Sequence, residues 1–308
     1  PTVLSNVLAN LIRSIGRSKE AGFGIILGGL LNIALDPLFM FVLLPKGYEV
    51  LGAGVATCLS NCIACLFFLV VVARMGSGSV ITFNPRVGLA QRENLLSVFA
   101  VGIPSAVTTF LFDLDYVFID KLMVSYHDLA LAAIGIVLKV ERFPLNVGVG
   151  ICQGMMPLVA YNYAAGNQKR MDDAIHLSRT VGLVVAGISI LLYELFAVQF
   201  VHLFIADPQT VELASTFLRI RVLATPLMFL SFFTVYLFQA FGKGRISLFL
   251  GVTRWLVLNI PMLFILNRIF GMYGIVWSQV TADFINVILS FYVFFKCRPR
   301  FLEPEKAH

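Results

Sequence analysis

The sequence predicts an all-α polytopic membrane protein with about nine transmembrane helices. Of its 308 residues, 59% are hydrophobic and 13% are charged, and the mean hydropathy of +0.89 lies far above that of a soluble domain. Apolar runs of about 20 residues, the length of helix that crosses a ~30 Å hydrocarbon core, recur between polar breaks. No segment outside these runs is long enough to form a core of its own.

The apolar runs define the predicted spans and their grouping. In chain order the spans cover residues 1–15, 21–44, 51–74, 98–123, 129–162, 176–205, 218–241, 246–268 and 272–295. The polar and basic segment 76–97 is typical of an amphipathic linker on the membrane surface. It separates a first lobe with three spans (1–75) from a second lobe with six spans (98–296), which a short tail (297–308) follows.

Basic residues in the short loops predict the orientation of the chain. One side of the membrane receives Arg17, Lys19, Arg74, Arg86, Arg92, Lys169, Arg170, Lys243, Arg245, Lys296, Arg298 and Arg300. The other side receives Lys46, Arg268 and Lys121. We therefore expect a multi-pass protein of the plasma membrane whose linker and C-terminus are cytoplasmic, with the start of the chain outside.

An internal repeat relates the first three spans to the last three. The segment "LANLIRSIGRSK" (8–19) resembles "TVYLFQAFGKGR" (234–245), and each is followed by a span with a central proline, Pro37 or Pro261. If spans four to nine form a complete six-helix unit, the first unit is represented by its second half alone. We infer that about three spans precede this sequence, which gives twelve spans in two parallel six-helix halves.

Asn32 and Asp36 lie in the middle of the second predicted span. A charge at the bilayer centre costs at least about 2.5–3.5 kcal/mol, so such a residue normally faces a partner or a water-filled cavity. The two residues are four positions apart on one helix face, and Pro37 removes the next backbone donor, which favours a bend. This pattern predicts either a cation or proton site beside a hinge, or a buried acid that only holds a kink.

The later spans contain a second group of charged residues. Asp113, Asp115 and Asp120 lie in the fourth span, where we expect Asp113 to be deepest and either functional or paired with Lys139 or Arg142. Glu141 cannot share a helix face with both of these cations, so at least one charge needs a partner on another helix. Arg254 could pair with Asp283, attract anionic groups or reach the membrane surface. The predicted cavity or ion-pair network contains Asp113, Lys139, Glu141, Arg142, Arg254 and Asp283.

Several other kinds of site are disfavoured by the sequence. Cys58, Cys62 and Cys65 have a spacing that metal ligands use, but their span lacks histidine and thiolates in lipid are costly, so we predict no metal site. The four histidines do not cluster. We expect no catalytic residues, no enzyme activity, no cofactor and no nucleic-acid partner.

The repeat, together with the segments "NIALDPLF" and "GICQGMMPLVAYNYAAGN", resembles the multidrug and toxic compound extrusion (MATE) family. The resemblance covers essentially the whole chain, from the end of the fourth family helix through the twelfth. It implies two six-helix lobes around a central cleft and export of organic, often cationic, drugs in exchange for H⁺ or Na⁺. It also implies small-molecule substrates and membrane lipids as partners of a monomer.

The resemblance also assigns candidate site residues. Asn32 and Asp36 match a fifth-helix pair that binds the coupling ion in the family, and Thr57 matches a hydroxyl partner on the next helix. Pro37 is then the conformational hinge that bends when the acid is neutralised. Two other functions are a flippase for lipid-linked precursors and an intramembrane aspartyl enzyme that uses Asp36 and Asp113. The enzyme is disfavoured because the sequence has no GxGD element and the two acids lie in different lobes.

Overall fold

The computed structural model describes residues 1–45, 47–75 and 92–301, and all regular structure in these residues is helical. The helices are α1 (Thr2–Ser14), α2 (Ser18–Pro37), α3 (Glu49–Arg74), α4 (Arg92–Val124), α5 (Asp128–Ala164), α6 (Gln168–His202), α7 (Pro208–Val222), α8 (Thr225–Ala240), α9 (Gly244–Val252), α10 (Ile260–Phe270) and α11 (Met272–Phe301). Two π-helical segments, Leu38–Leu43 and Thr253–Asn259, continue α2 and α9. Lys46, linker residues 76–91 and tail residues 302–308 lie outside the described residues.

The predicted all-helical membrane fold is confirmed. Within the described residues, seven helices are long and apolar enough to cross a membrane, and the bent pair α7–α8 counts as an eighth if it forms one span. The first predicted span corresponds to α1, whose 13 residues fall short of the roughly 20 that a spanning helix needs. The helix α4 begins at Arg92, within the segment 76–97 that was predicted as the linker.

The chain divides into two compact units, Pro1–Arg92 and Glu93–His308. In the first unit, α1, α2 and α3 pack around a small core that includes Leu8, Ile12 and Phe68. The opposite side of α2 exposes large apolar residues such as Ile26, Leu30 and Ile33. An exposed apolar face on a long helix suits contact with lipid or with further protein.

The second unit contains the larger core. One buried cluster around Val137, Phe217 and Ile275 joins α4, α5, α6, α7 and α11, and a second around Phe238 joins α5, α6, α8 and α9. Trp255 belongs to a third, smaller cluster with Leu111 and Met228. These clusters hold the buried polar residues of the second unit in fixed surroundings.

The two related segments of the repeat end their helices in the same way. Gly16 after α1 and Gly242 after α8 both have positive φ, 86° and 69°, a conformation that favours glycine. After each glycine the next amide, of Arg17 or Lys243, donates a hydrogen bond to a carbonyl five residues back. This is the helix-ending pattern in which a left-handed residue satisfies otherwise unpaired carbonyls. The matching sequences therefore build matching turns.

The seventh predicted span begins too late and misses a bend. Predicted over 218–241, it corresponds to α7 and α8, whose axes differ by 46° across the break at residues 223–224. The first turns of α7 are polar, so hydropathy alone does not show where this helix begins. Asp207 caps this start, since its Oδ2 accepts hydrogen bonds from the amide and hydroxyl of Thr210 at 2.9 and 2.6 Å. These bonds hold the pKa of the Asp207 carboxyl below its usual value.

The contact between α9 and α4 gives a first prediction. A Cβ added to Gly244 would lie 2.2 Å from the carbonyl oxygen of Ala100, so Gly244→Ala must displace backbone. We expect a loss of about 1–3 kcal/mol, the usual cost of overpacking, measured as a lower thermal midpoint of the purified protein in detergent. Gly187→Ala on α6 is the control, because a Cβ there has no neighbour within 4 Å. Equal midpoints for the two variants would contradict the prediction.

Candidate functional site

Asn32, Asp36 and Thr57 come together in the first unit. The amide nitrogen of Asn32 donates one hydrogen bond to Asp36 Oδ1 at 3.1 Å and another to Thr57 Oγ1 at 3.2 Å. Asn32 and Asp36 are partly buried on α2, while Thr57 is exposed on α3. Asn32 thus uses both N–H groups, and its own carbonyl oxygen and the second oxygen of Asp36 remain as acceptors. Such a group of oxygen atoms suits a proton or a small hard cation.

Pro37 marks a change of helix type directly beside this cluster. The α-helix ends at Pro37, and the chain continues as the π-helical segment Leu38–Leu43. Proline lacks an N–H and its ring crowds the carbonyl of Ile33, so the regular hydrogen-bond ladder cannot pass through it. Segments of π-helix are frequent at functional sites. Asp36 therefore lies at a junction between two helical forms.

The related helix of the second unit provides an internal comparison. There the π-helical segment Thr253–Asn259 leads into α10, in which Pro261 follows Ile260. In this chain a π-helical segment therefore also occurs next to a proline that follows an apolar residue. The residue before the proline is thus apolar in the second unit, at Ile260, and acidic in the first, at Asp36.

The polar surface of the first unit extends beyond the predicted residues. Asn61 donates a hydrogen bond to the carbonyl of Thr57 at 2.8 Å, and the hydroxyl of Ser5 donates to the carbonyl of Asn61 at 3.3 Å. Ser5, Asn6 and Asn61 line a pocket between α1, α2 and α3. Sequence reasoning missed these residues, although Asn61 lies one helical turn after Thr57.

A buried ion pair joins α5 and α7 in the second unit. Arg221 donates two hydrogen bonds to Glu141, from Nε at 2.7 Å and from Nη2 at 2.8 Å, and it also contacts the side-chain oxygen of Gln279 on α11. Arg221 is 2% exposed and Glu141 is 9% exposed. At least one charge among Lys139, Glu141 and Arg142 was expected to need a partner on another helix, but the sequence did not identify Arg221 or Gln279 as partners of Glu141.

A second buried pair joins Arg254 and Asp283. Arg254 donates to the carboxylate from Nε at 2.6 Å and from Nη2 at 3.2 Å. Its guanidinium group lies over the rings of Trp255 and Phe232, at 4.2 and 4.5 Å from their centroids. Arg254 is therefore held inside the unit and does not extend toward the membrane surface.

The buried acid of α4 is Asp115, and the predicted pairing of Asp113 with Lys139 or Arg142 is not formed. Asp113 is exposed and forms no ion pair with any described residue, whereas Asp115 is 2% exposed. Leu111, Asp115 and Ile119 recur every four residues on the face of α4 that packs inward. One oxygen of Asp115 has no hydrogen-bond partner among the described residues. The sequence could not show which face of α4 is buried.

Lys139 and Arg142 do not join a common network with the other predicted charges. Both are exposed on α5, and Arg142 lies over the ring of Tyr116, 4.9 Å from its centroid. The described part of the second unit thus contains two buried ion pairs, which Gln279 links by contacting both Arg221 and Asp283. Asp115 is a further buried acid without an arginine partner of its own among the described residues. Its surroundings include the positive charges of Arg221 and Arg254.

The chain is similar in sequence to known proteins over nearly its whole length. It is 29% identical over 305 residues to the multidrug export protein MepA of Staphylococcus haemolyticus (strain JCSC1435), covering 99% of this chain and 66% of that protein. It is 29% identical over 301 residues to MepA of Staphylococcus aureus (strain MSSA476), covering 97% and 64%. The chain therefore spans just under two thirds of the length of these relatives.

Solved structures share the fold. The crystal structure of MATE in complex with MaL6 superposes with a TM-score of 0.87 at 22% identity, over 98% of this chain and 67% of that one. An outward-facing multidrug resistance MATE family transporter of the MOP superfamily gives a TM-score of 0.86 at 22% identity, over 97% and 66%. The family model MatE matches residues 104–265, more than half of the sequence. The chain thus belongs to the MatE family of membrane proteins.

Proposed function

We propose that this chain is part of a secondary active multidrug efflux antiporter. It exports organic, often cationic, compounds in exchange for H⁺ or Na⁺ by alternating access, and it is neither an enzyme nor dependent on a cofactor. It acts as a monomer in the plasma membrane with its C-terminus in the cytoplasm. Support comes from family membership and from the relatives' description as multidrug export proteins. The observation that carries the proposal is the cluster of Asn32, Asp36 and Thr57.

In this proposal the cluster binds the coupling ion. The carboxylate of Asp36 takes up the proton or cation, and the oxygens of Asn32 and Thr57 complete its surroundings. Neutralising the acid removes the cost of a charge within the membrane, so occupied and empty sites favour different helix conformations. Pro37 is the hinge, because the helix changes type directly at this residue.

The proposed roles of the second unit differ between its charged residues. The pairs Glu141–Arg221 and Arg254–Asp283 hold α5, α7 and α11 together with the second π-helical segment. Asp113, Lys139 and Arg142 are exposed and charged on helices that cross the membrane, so we assign them to the wall of a water-filled cavity.

A transport assay with the complete gene product tests this function. Proteoliposomes should export ethidium, an aromatic cation, only when a proton or sodium gradient is imposed. Thr57→Val should require about tenfold more of the coupling ion for half-maximal export, since one oxygen of the site is lost, and should approach the normal rate at saturating ion.

The matched control is Thr109→Val, which removes an exposed threonine hydroxyl on α4 that bonds only its own helix. Export without any ion gradient, or movement of a labelled lipid instead of ethidium, would refute the antiporter and favour a lipid flippase. An unchanged ion dependence for Thr57→Val would remove Thr57 from the site.

A further inference from the structure

A groove between α6, α8 and α11 is separate from every residue discussed so far. Its lining includes Leu230, Phe233, Leu237, Phe291 and Phe294. The charged residue in this otherwise largely apolar lining is Arg179 on α6. Arg179 is only partly buried, so its guanidinium group lies beside the apolar lining and is open to a ligand.

The groove lies at one end of the second unit. Arg179 is about three turns after the start of α6, Leu237 is one turn before the end of α8, and Phe294 is two turns before the end of α11. The same end carries further basic residues, namely Lys169, Arg170, Lys243, Arg245 and Lys296. The groove is thus at the depth where the apolar part of a membrane-crossing helix meets its basic end.

The donors of Arg179 are incompletely used. Its Nη2 donates to Nδ1 of the exposed His176 at 3.0 Å, and no acid lies within ion-pair distance of it among the described residues. A guanidinium group has five N–H donors in a planar fork that matches a phosphate. Several of these donors are available to a ligand outside the chain.

We propose that this groove binds an anionic phospholipid. The acyl chain lies along the phenylalanine and leucine lining, and the phosphate accepts hydrogen bonds from Arg179. A soluble anion would leave the apolar lining uncovered, and a cationic drug would meet the wrong charge. Basic pockets between membrane helices bind anionic headgroups in this way. The inference depends on the membrane location of the chain and not on the proposed transport activity.

Native mass spectrometry of the purified, delipidated protein in detergent tests the proposal. Added phosphatidylglycerol should bind at lower concentration than phosphatidylcholine. Arg179→Gln should weaken phosphatidylglycerol binding about fivefold, the ratio that one basic residue contributes near an anionic lipid. Arg179→Lys should retain most of the binding. The control is Arg268→Gln, which removes an exposed arginine in the last turn of α10, next to the end of α11 that is far from the groove, and it should change nothing.

Two further arms separate the lipid from other anions. Inorganic phosphate should not compete with phosphatidylglycerol, because it lacks an acyl chain. Leu230→Trp, which fills the groove and keeps Arg179, should weaken phosphatidylglycerol binding as well. The proposal is overturned if Arg179→Gln and Arg268→Gln bind phosphatidylglycerol equally well, or if inorganic phosphate displaces the lipid.

Discussion

Replacing Asp36 by Asn should reduce ion-coupled export by the complete gene product to the level of liposomes without protein. The amide has nearly the same size as the carboxylate and can still accept the hydrogen bond from Asn32. It cannot take up a proton, and it carries no charge that attracts a cation. The measurement is ethidium export from proteoliposomes under an imposed proton or sodium gradient, with the amount of inserted protein determined in parallel.

The same variant separates the two interpretations of this buried acid. If Asp36 only held a kink, its isosteric amide should leave export unchanged. The control is Asp128→Asn, which removes an exposed acid in the first turn of α5 and should keep normal export. Normal export by Asp36→Asn, at normal insertion, would therefore exclude Asp36 as the coupling residue.

Replacing Glu141 by Leu should destabilise the protein strongly. Arg221 would keep its charge in a buried position without the carboxylate that now accepts two of its hydrogen bonds. Removal of one partner from a buried ion pair typically costs about 3–5 kcal/mol. We expect a much lower thermal midpoint in detergent and less protein in the membrane fraction.

Two further variants show whether the unpaired charge of Arg221 causes the loss of stability in Glu141→Leu. Glu194→Leu removes the acid of an exposed pair with Arg219, 3.9 Å apart, and should cost at most about 1 kcal/mol. The double variant Glu141→Leu/Arg221→Met should regain much of the lost stability, because no buried charge remains. Similar thermal midpoints for Glu141→Leu and Glu194→Leu would show that the buried pair contributes no more to stability than the exposed pair.

Contacts between residues that are close in the sequence were predictable, whereas contacts between distant residues were not. Asn32 and Asp36 are one helical turn apart, so helix geometry alone predicted that they meet. The common turn at Gly16 and Gly242 is equally local, and it lies within the segments 8–19 and 234–245 whose resemblance indicated the repeat. Thr57 came from family resemblance, since no local rule relates it to Asn32 across 25 positions.

The errors concern tertiary packing. Glu141 and Arg221 are 80 positions apart, and nothing in either span specifies the other as its partner. Asp115 was not recognised as the buried acid of α4 for the same reason. Asp113 and Asp115 lie on opposite faces of α4, and only the packing of other helices shows which face is buried. The bend between α7 and α8 was missed because polar residues in α7 lower its hydropathy.

The two π-helical segments affect how the repeated halves should be compared. One segment follows Pro37, and the other precedes Pro261. Each residue of an α-helix advances by about 100° around the axis, and a wider turn alters that phase for everything beyond it. Residues that align by counting from the prolines therefore point in different directions in the two copies. Equivalent residues in the two related segments should therefore be identified by structural superposition of the helices, and not by sequence alignment alone.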